Sequence, residues 1–204
     1  MIPSSLLETV QSGSFRFSWR GIQMVKNPFD FALYSMLLSD LRPRTVIELG
    51  SHLGGSALWL ADQVNAMELD AEVHSFDLRK ATLRDFDLVN LHFHQGDASN
   101  LEGSVFEGWV HPWLVIDDAS HCAPDVLAAL EFFHCLLQPG DFVVVEDGIA
   151  DTQLGMQSAL LGGPSKALRE FLGAHPSEYE IDRHYCDFWG PNVTWNPDGY
   201  LRRL

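Results

Sequence analysis

Residues 46–56 read Val46-Ile47-Glu48-Leu49-Gly50-Ser51-His52-Leu53-Gly54-Gly55-Ser56. A short apolar run stops at a glycine, a turn follows, and helical periodicity then runs over about 56–66. Such a strand, glycine turn and helix start open a βαβ unit. Glycine there lets the backbone turn tightly and approach a ligand closely. The helix start adds free N–H groups and the positive end of a dipole. The spacing is Gly-x-x-x-Gly-Gly-Ser, not the Gly-x-Gly-x-x-Gly of dinucleotide binders.

The same alternation continues outward. Strands are predicted at 45–49, 72–76, 91–94, 113–116 and 142–145, and helices at 56–66, 124–137 and 165–172. Pro124 suits a helix start, Gln138-Pro139-Gly140 a stop, and Ser165 a cap. Continuous apolar strands between helices imply a parallel sheet covered on both faces. Residues 178–188 and 193–201 read as two further strands joined by Trp189-Gly190-Pro191-Asn192, a closing antiparallel hairpin at the sheet edge. Residues 1–40 are expected to form an N-terminal helical cap, and 41–204 the core of a single domain spanning 1–204.

Acidic residues fall at the strand ends: Glu48, Asp77, Asp97, Asp117-Asp118 and Glu146-Asp147. In an open α/β sheet the ligand crevice lies beyond the carboxyl ends of the strands, so these side chains should converge. Glu48 beside the glycine turn would repel a pyrophosphate but suits a cofactor carrying an ammonium group, as the methionine part of S-adenosylmethionine does. Asp77 can accept both hydroxyls of a ribose, and Asp97 would sit near the adenine. Carboxylates crowded at adjacent strand ends repel unless some are protonated or a cation neutralises them. An all-oxygen set favours magnesium, with manganese or calcium as alternatives.

Composition sets the outer limits. Hydrophobic residues at 46% and charged residues at 20% describe a globular chain rather than a disordered one. A net charge of −15 would repel nucleic acid. No apolar run is long enough for a bilayer, and the N-terminus lacks the basic start and apolar stretch of a signal peptide, so a cytoplasmic protein is expected. Cys122, Cys135 and Cys186 are widely spaced and suggest reduced thiols. His92, His94, His111, His134, His175 and His184 show no metal-ligand spacing, and His92 and His94 are expected to pack on one face of their strand. Lys26 reads as a surface lysine, with membership of a lid as the alternative.

The glycine segment followed by Ser75-Phe76-Asp77-Leu78 resembles motif I and the second strand of class I methyltransferases. More narrowly, the chain is similar to the cephalosporin hydroxylase/rhamnosyl O-methyltransferase family. Trp19-Arg20-Gly21, Lys26-Asn27-Pro28-Phe29-Asp30, Asp118-Ala119-Ser120-His121, Val145-Glu146-Asp147 and Asn196-Pro197-Asp198-Gly199-Tyr200-Leu201-Arg202 carry that likeness over nearly the whole chain. The resemblance implies a Rossmann-like α/β fold with a mostly parallel seven-stranded sheet and helices on both faces. It also implies S-adenosylmethionine contacts at Glu48, Gly50, Ser56 and Asp77, magnesium, and often a homo-oligomer; Ser51 and Gly54 of the same turn, and Asp97, complete the expected cofactor contacts. Metal-dependent O-methyltransferases are similar in placing one Asp after the fourth strand, an acidic pair after the fifth, and a basic residue three positions after that Asp. Counting back from His121 selects Asp118 over Asp117, giving Asp118, Glu146 and Asp147 as metal ligands and His121 as general base. The activity implied is methyl transfer to a hydroxyl of a small-molecule acceptor. Carbon or nitrogen methylation, or a non-catalytic cofactor-binding module, are the alternatives. A literal hydroxylase lacks a two-His-one-carboxylate iron site in this sequence.

Overall fold

The computed structural model describes residues 2–81 and 88–204; Met1, the first residue of the expected cap, lies outside the described residues. Helix α1 (Ser4–Ser14) leads into a two-stranded antiparallel ribbon, β1 (Ser18–Trp19) and β2 (Ile22–Gln23), and helix α2 (Pro28–Leu41) follows. The Asn27 side chain caps α2 by accepting from Phe29 N, and Pro28 occupies its first turn, where a missing N–H costs nothing. The ribbon between the two helices has no periodic signal in the sequence.

The core alternates as expected: β3 (Thr45–Leu49), α3 (Gly55–Ala66), β4 (Glu72–Asp77), β5 (Leu91–Gln95), β6 (Trp113–Asp117), α4 (Ala123–His134), β7 (Phe142–Val145), α5 (Gly148–Thr152), α6 (Gly163–Ala174), β8 (Tyr179–Ile181), α7 (Arg183–Cys186) and β9 (Tyr200–Arg203). Seven strands form one sheet in the order β5-β4-β3-β6-β7-β9-β8. The first five are parallel; β9 runs antiparallel to both β7 and β8. The antiparallel edge is therefore present, but its connection is not the tight turn expected at 189–192. Residues Arg183–Cys186 are helical, and the stretch 193–199, expected in a strand, is irregular. Asp182 caps α7 by accepting from His184 N, so a polar residue inside the expected strand starts a helix instead.

Period two sorts the strands onto two faces. Val46, Leu114, Ile116, Val144 and Tyr200 pack with α2 and α3. Ile47, Leu49, Val115, Val143 and Leu201 pack with α4 and α6. Helices thus cover both faces, which leaves the strand ends open to a ligand. No described helix is long and apolar enough to cross a membrane.

Candidate functional site

Strand register brings the acidic ends to one rim. Leu49 pairs with Asp117, Asp117 with Val145, and Asp77 with Gln95. Backbone bonds extend the alignment beyond the strands, from Gly50 N to Phe76 O (2.8 Å), Asp118 N to Leu49 O (2.9 Å) and Glu146 N to Asp117 O (2.9 Å). Above this rim lies a cavity of about 810 Å³. Gly50, Ser51, Ser56, Asp77 and Asp97 line one end, and Asp117, Asp118, His121 and Asp147 the other. Phe15, Gln23, Met24 and Val25 of the N-terminal segment line it as well, which the sequence did not reveal.

At the first end the glycines serve the protein's own packing. Gly50 has φ +98°, and a Cβ there would stand 2.0 Å from the Asp118 carbonyl oxygen; one on Gly55 would stand 2.2 Å from that of Gln23. Gly54, with φ +87°, precedes α3 and does not line the cavity. Asp77 accepts from the backbone N–H groups of His52 (2.9 Å) and Arg79 (3.0 Å). Asp97 accepts from Ser99 N and Oγ, bonds that hold its carboxyl below the usual range. Ser51 Oγ lies 2.6 Å from Ser75 Oγ.

Glu48 is fully buried beneath the turn rather than lining the cavity. Ser75 Oγ donates to its Oε2 at 2.5 Å, while its Oε1 has no hydrogen-bond partner. Burial pushes Glu48 up to about 7 against the pull of the Lys26 ammonium. Asp117 is the same kind of group. Its Oδ2 is buried and unpartnered, burial lifts it to about 7, and it faces the cavity. Such acceptors are costly unless a cationic guest or a proton satisfies them, so the rim fits a positively charged ligand.

The second end gathers Asp118, His121 and Asp147, whose ligand atoms all lie within 4.8 Å of one another. His121 Nε2 is 3.4 Å from Asp147 Oδ2 and 3.7 Å from Asp118 Oδ1. His121 and Asp147 both take left-handed backbone conformations, at φ +57° and +58°. Non-glycine residues held there cost energy and cluster at functional sites. Asp147 N donates to Asn196 Oδ1 (3.1 Å). Asn196 N bonds to Thr194 Oγ1, which donates to Asp30 at 2.5 Å; Trp195 N donates to the other Asp30 oxygen. The segments around Asp30 and Asn196, distant in sequence, thus brace the rim from behind.

Lys26 is not a surface residue. It is 5% exposed, the only buried one of the chain's three lysines. Its Nζ donates to Asp118 Oδ2 at 2.5 Å and to Glu146 Oε1, which also accepts from Tyr34 OH at 2.6 Å. Burial alone would lower the Lys26 pKa, but Asp118 and Glu146 outweigh it and hold it above the usual lysine value. Burial raises Asp118, Glu146 and Asp147. Glu146 itself lies behind the cavity wall. A charged side chain beside a helix cap carries no sequence signal of burial, so only the motif around Lys26 could have flagged it.

Two histidine groups lie elsewhere. His74, His92, His94 and Trp109 form a stack, with ring centroids 3.9 Å apart for His74 and Trp109, which is the packing expected of His92 and His94. Contrary to their sequence spacing, His134 and His175 meet Glu178 within metal-ligand reach. Their polar atoms are bonded to Tyr179, Glu131 and Arg203.

A mostly parallel sheet in this order, with an antiparallel edge and an acidic rim, is the Rossmann-like fold of a methyltransferase. The family model for rhamnosyl O-methyltransferase/CmcI matches residues 11–204, and the chain belongs to that family. The rhamnosyl O-methyltransferase of Mycobacterium leprae is 28% identical over 91% of this chain and 82% of its own length; that of Mycobacterium tuberculosis is 28% identical over 91% and 78%. A CmcI structure with Mg and SAM is 29% identical, with a TM-score of 0.74 over all of this chain and 85% of that one. A CmcI structure with SAH is 27% identical, with a TM-score of 0.73 over all of this chain and 93% of that one.

Proposed function

We propose that this methyltransferase uses S-adenosylmethionine and a divalent metal, magnesium by preference, to methylate a hydroxyl of a small-molecule acceptor such as a sugar. The observation that carries this reading is the pairing of two unlike ends in one cavity: Asp77 and Asp97 beside a glycine turn, and Asp118, His121 and Asp147 opposite. The relatives' names, rhamnosyl O-methyltransferase and CmcI with Mg-SAM, support the acceptor class and both cofactors.

Gly50, Ser51, Ser56, Asp77 and Asp97 hold the nucleoside end, with Gly54 shaping the turn. Glu48 Oε1, unpartnered beneath the turn, supplies negative potential for the donor's ammonium group. Asp118 and Asp147, which line the cavity, would hold the metal, and Glu146 would complete the acidic set from behind. When bound, the sulfonium supplies the methyl group, and a hard ion supplies Lewis acidity that favours loss of the hydroxyl proton. His121 Nε2 accepts that proton, and Asp147 at 3.4 Å stabilises the resulting imidazolium. The walls of the cavity would exclude water and restrict the acceptor's orientation, and a direct displacement with the thioether as leaving group would need no covalent intermediate on the protein.

Because His121 stands within ligand distance of Asp118 and Asp147, its service as a third ligand is the second reading. The test is incubation of the purified chain with magnesium, methyl-labelled donor and glycosylated acceptors, with the methyl located by NMR. Label on oxygen, lost on chelation, is the expected result. Label on nitrogen or carbon, or transfer that survives chelation, defeats the proposal.

A further inference from the structure

We propose that Lys26 is a resident counter-ion of the metal centre: its ammonium bridges Asp118 and Glu146 and holds the rim together before a divalent ion arrives, at the expense of metal affinity. This rests on the reading above that such an ion binds at the rim. Lys26 does not line the cavity, so it acts through Asp118 and Glu146 rather than on substrate. It takes Asp118 Oδ2 and leaves Oδ1 turned toward His121. It cannot swing aside freely, being 5% exposed and followed directly by Asn27, the cap of α2.

Charge balance gives the arrangement its consequence. Asp118, Glu146 and Asp147 fully ionised would crowd three negative charges together, Glu146 buried and the other two half-buried, which is unfavourable unpaired. With Lys26 the sum over these four groups is two, the charge that one divalent ion neutralises; Asp117 and Glu48, both lifted to about 7 by burial, stand outside that sum. The same ammonium lies beside the incoming cation and repels it, so removing it should tighten metal binding. Glu146 is further fixed by Tyr34, which makes the bridge a rigid one.

The experiment compares the full-length wild type with Lys26→Met and Lys26→Arg. Magnesium affinity is measured by calorimetry, and thermal unfolding in EDTA and in saturating magnesium. Lys26→Met should bind magnesium roughly tenfold or more tightly. It should melt several degrees lower in EDTA, a deficit that magnesium erases. Lys26→Arg should stay near wild type on both readouts. Equal or weaker binding by Lys26→Met, or a deficit indifferent to magnesium, overturns the counter-ion role. A merely structural lysine would lower stability without tightening metal binding. Should Lys26→Met fail to fold in EDTA, Lys26→Met/Glu146→Gln restores the charge sum and should fold; continued failure also overturns the role. If wild type binds S-adenosylhomocysteine but neither magnesium nor manganese, the metal reading itself falls, and Lys26 with it.

Discussion

The two ends of the cavity handle acidic side chains in opposite ways. At the end beside the glycine turn Asp77 and Asp97 are satisfied by backbone N–H groups of nearby loops, those of His52, Arg79 and Ser99. At the other end Asp118 and Glu146 are satisfied by Lys26, which lies 92 and 120 residues away in the chain. Local partners leave a carboxylate available to a neutral, polar guest such as a ribose. A buried ion-pair network instead stores charge for a cationic one. One sheet rim can therefore serve two chemistries because its carboxylates differ in what neutralises them.

Substitutions should separate the ends. His121→Ala is expected to cut kcat by on the order of 100- to 10,000-fold while leaving magnesium affinity within about twofold. Loss of magnesium in a titration would make His121 a ligand instead. Asp118→Asn should weaken magnesium binding on the order of 100-fold and spare S-adenosylhomocysteine binding; nucleoside affinity falling in step would erase the division between the ends. Asp77→Ala should do the reverse, weakening S-adenosylhomocysteine about tenfold or more by calorimetry with the metal constant unchanged.

The smallest effect concerns the brace. Burial lifts Asp30 from 3.8 to about 7 in the folded chain, so folding strengthens its hold on a proton. Its contribution is fully present below the unfolded value near 4 and is lost as pH rises toward 7. Metal-free stability should accordingly decline across that window, and Asp30→Asn should flatten the slope. A pH profile identical to wild type would count against this role for Asp30.

Legibility in the sequence followed the range of the interactions. The strands Thr45–Leu49 and Phe142–Val145 stand where their apolar runs place them, because a strand covered on both faces writes its limits in composition. Acidic residues at successive strand ends announced the rim for the same reason. Lys26 did not announce itself, since its burial depends on partners from two distant segments, those of Asp118 and Glu146. The region 183–199 misled because aromatic and β-branched residues there satisfy long-range contacts, such as Tyr185 OH with Asp40 and Trp195 N with Asp30, instead of a ladder. Glu48 was visible as an acid beside the turn. Its register opposite Ser75, which sends it inward, was not.

The bare α-carbon of Gly50 against the Asp118 carbonyl has a consequence for how acceptor choice can drift. Main chain meets main chain there, so the spacing between the glycine turn and the Asp118 end of the cavity is a constant of the scaffold that no side-chain exchange retunes. Side chains can still vary in size along the N-terminal wall at Phe15, which is 51% exposed, whereas Met24 is held in the core and the Gln23 backbone against Gly55.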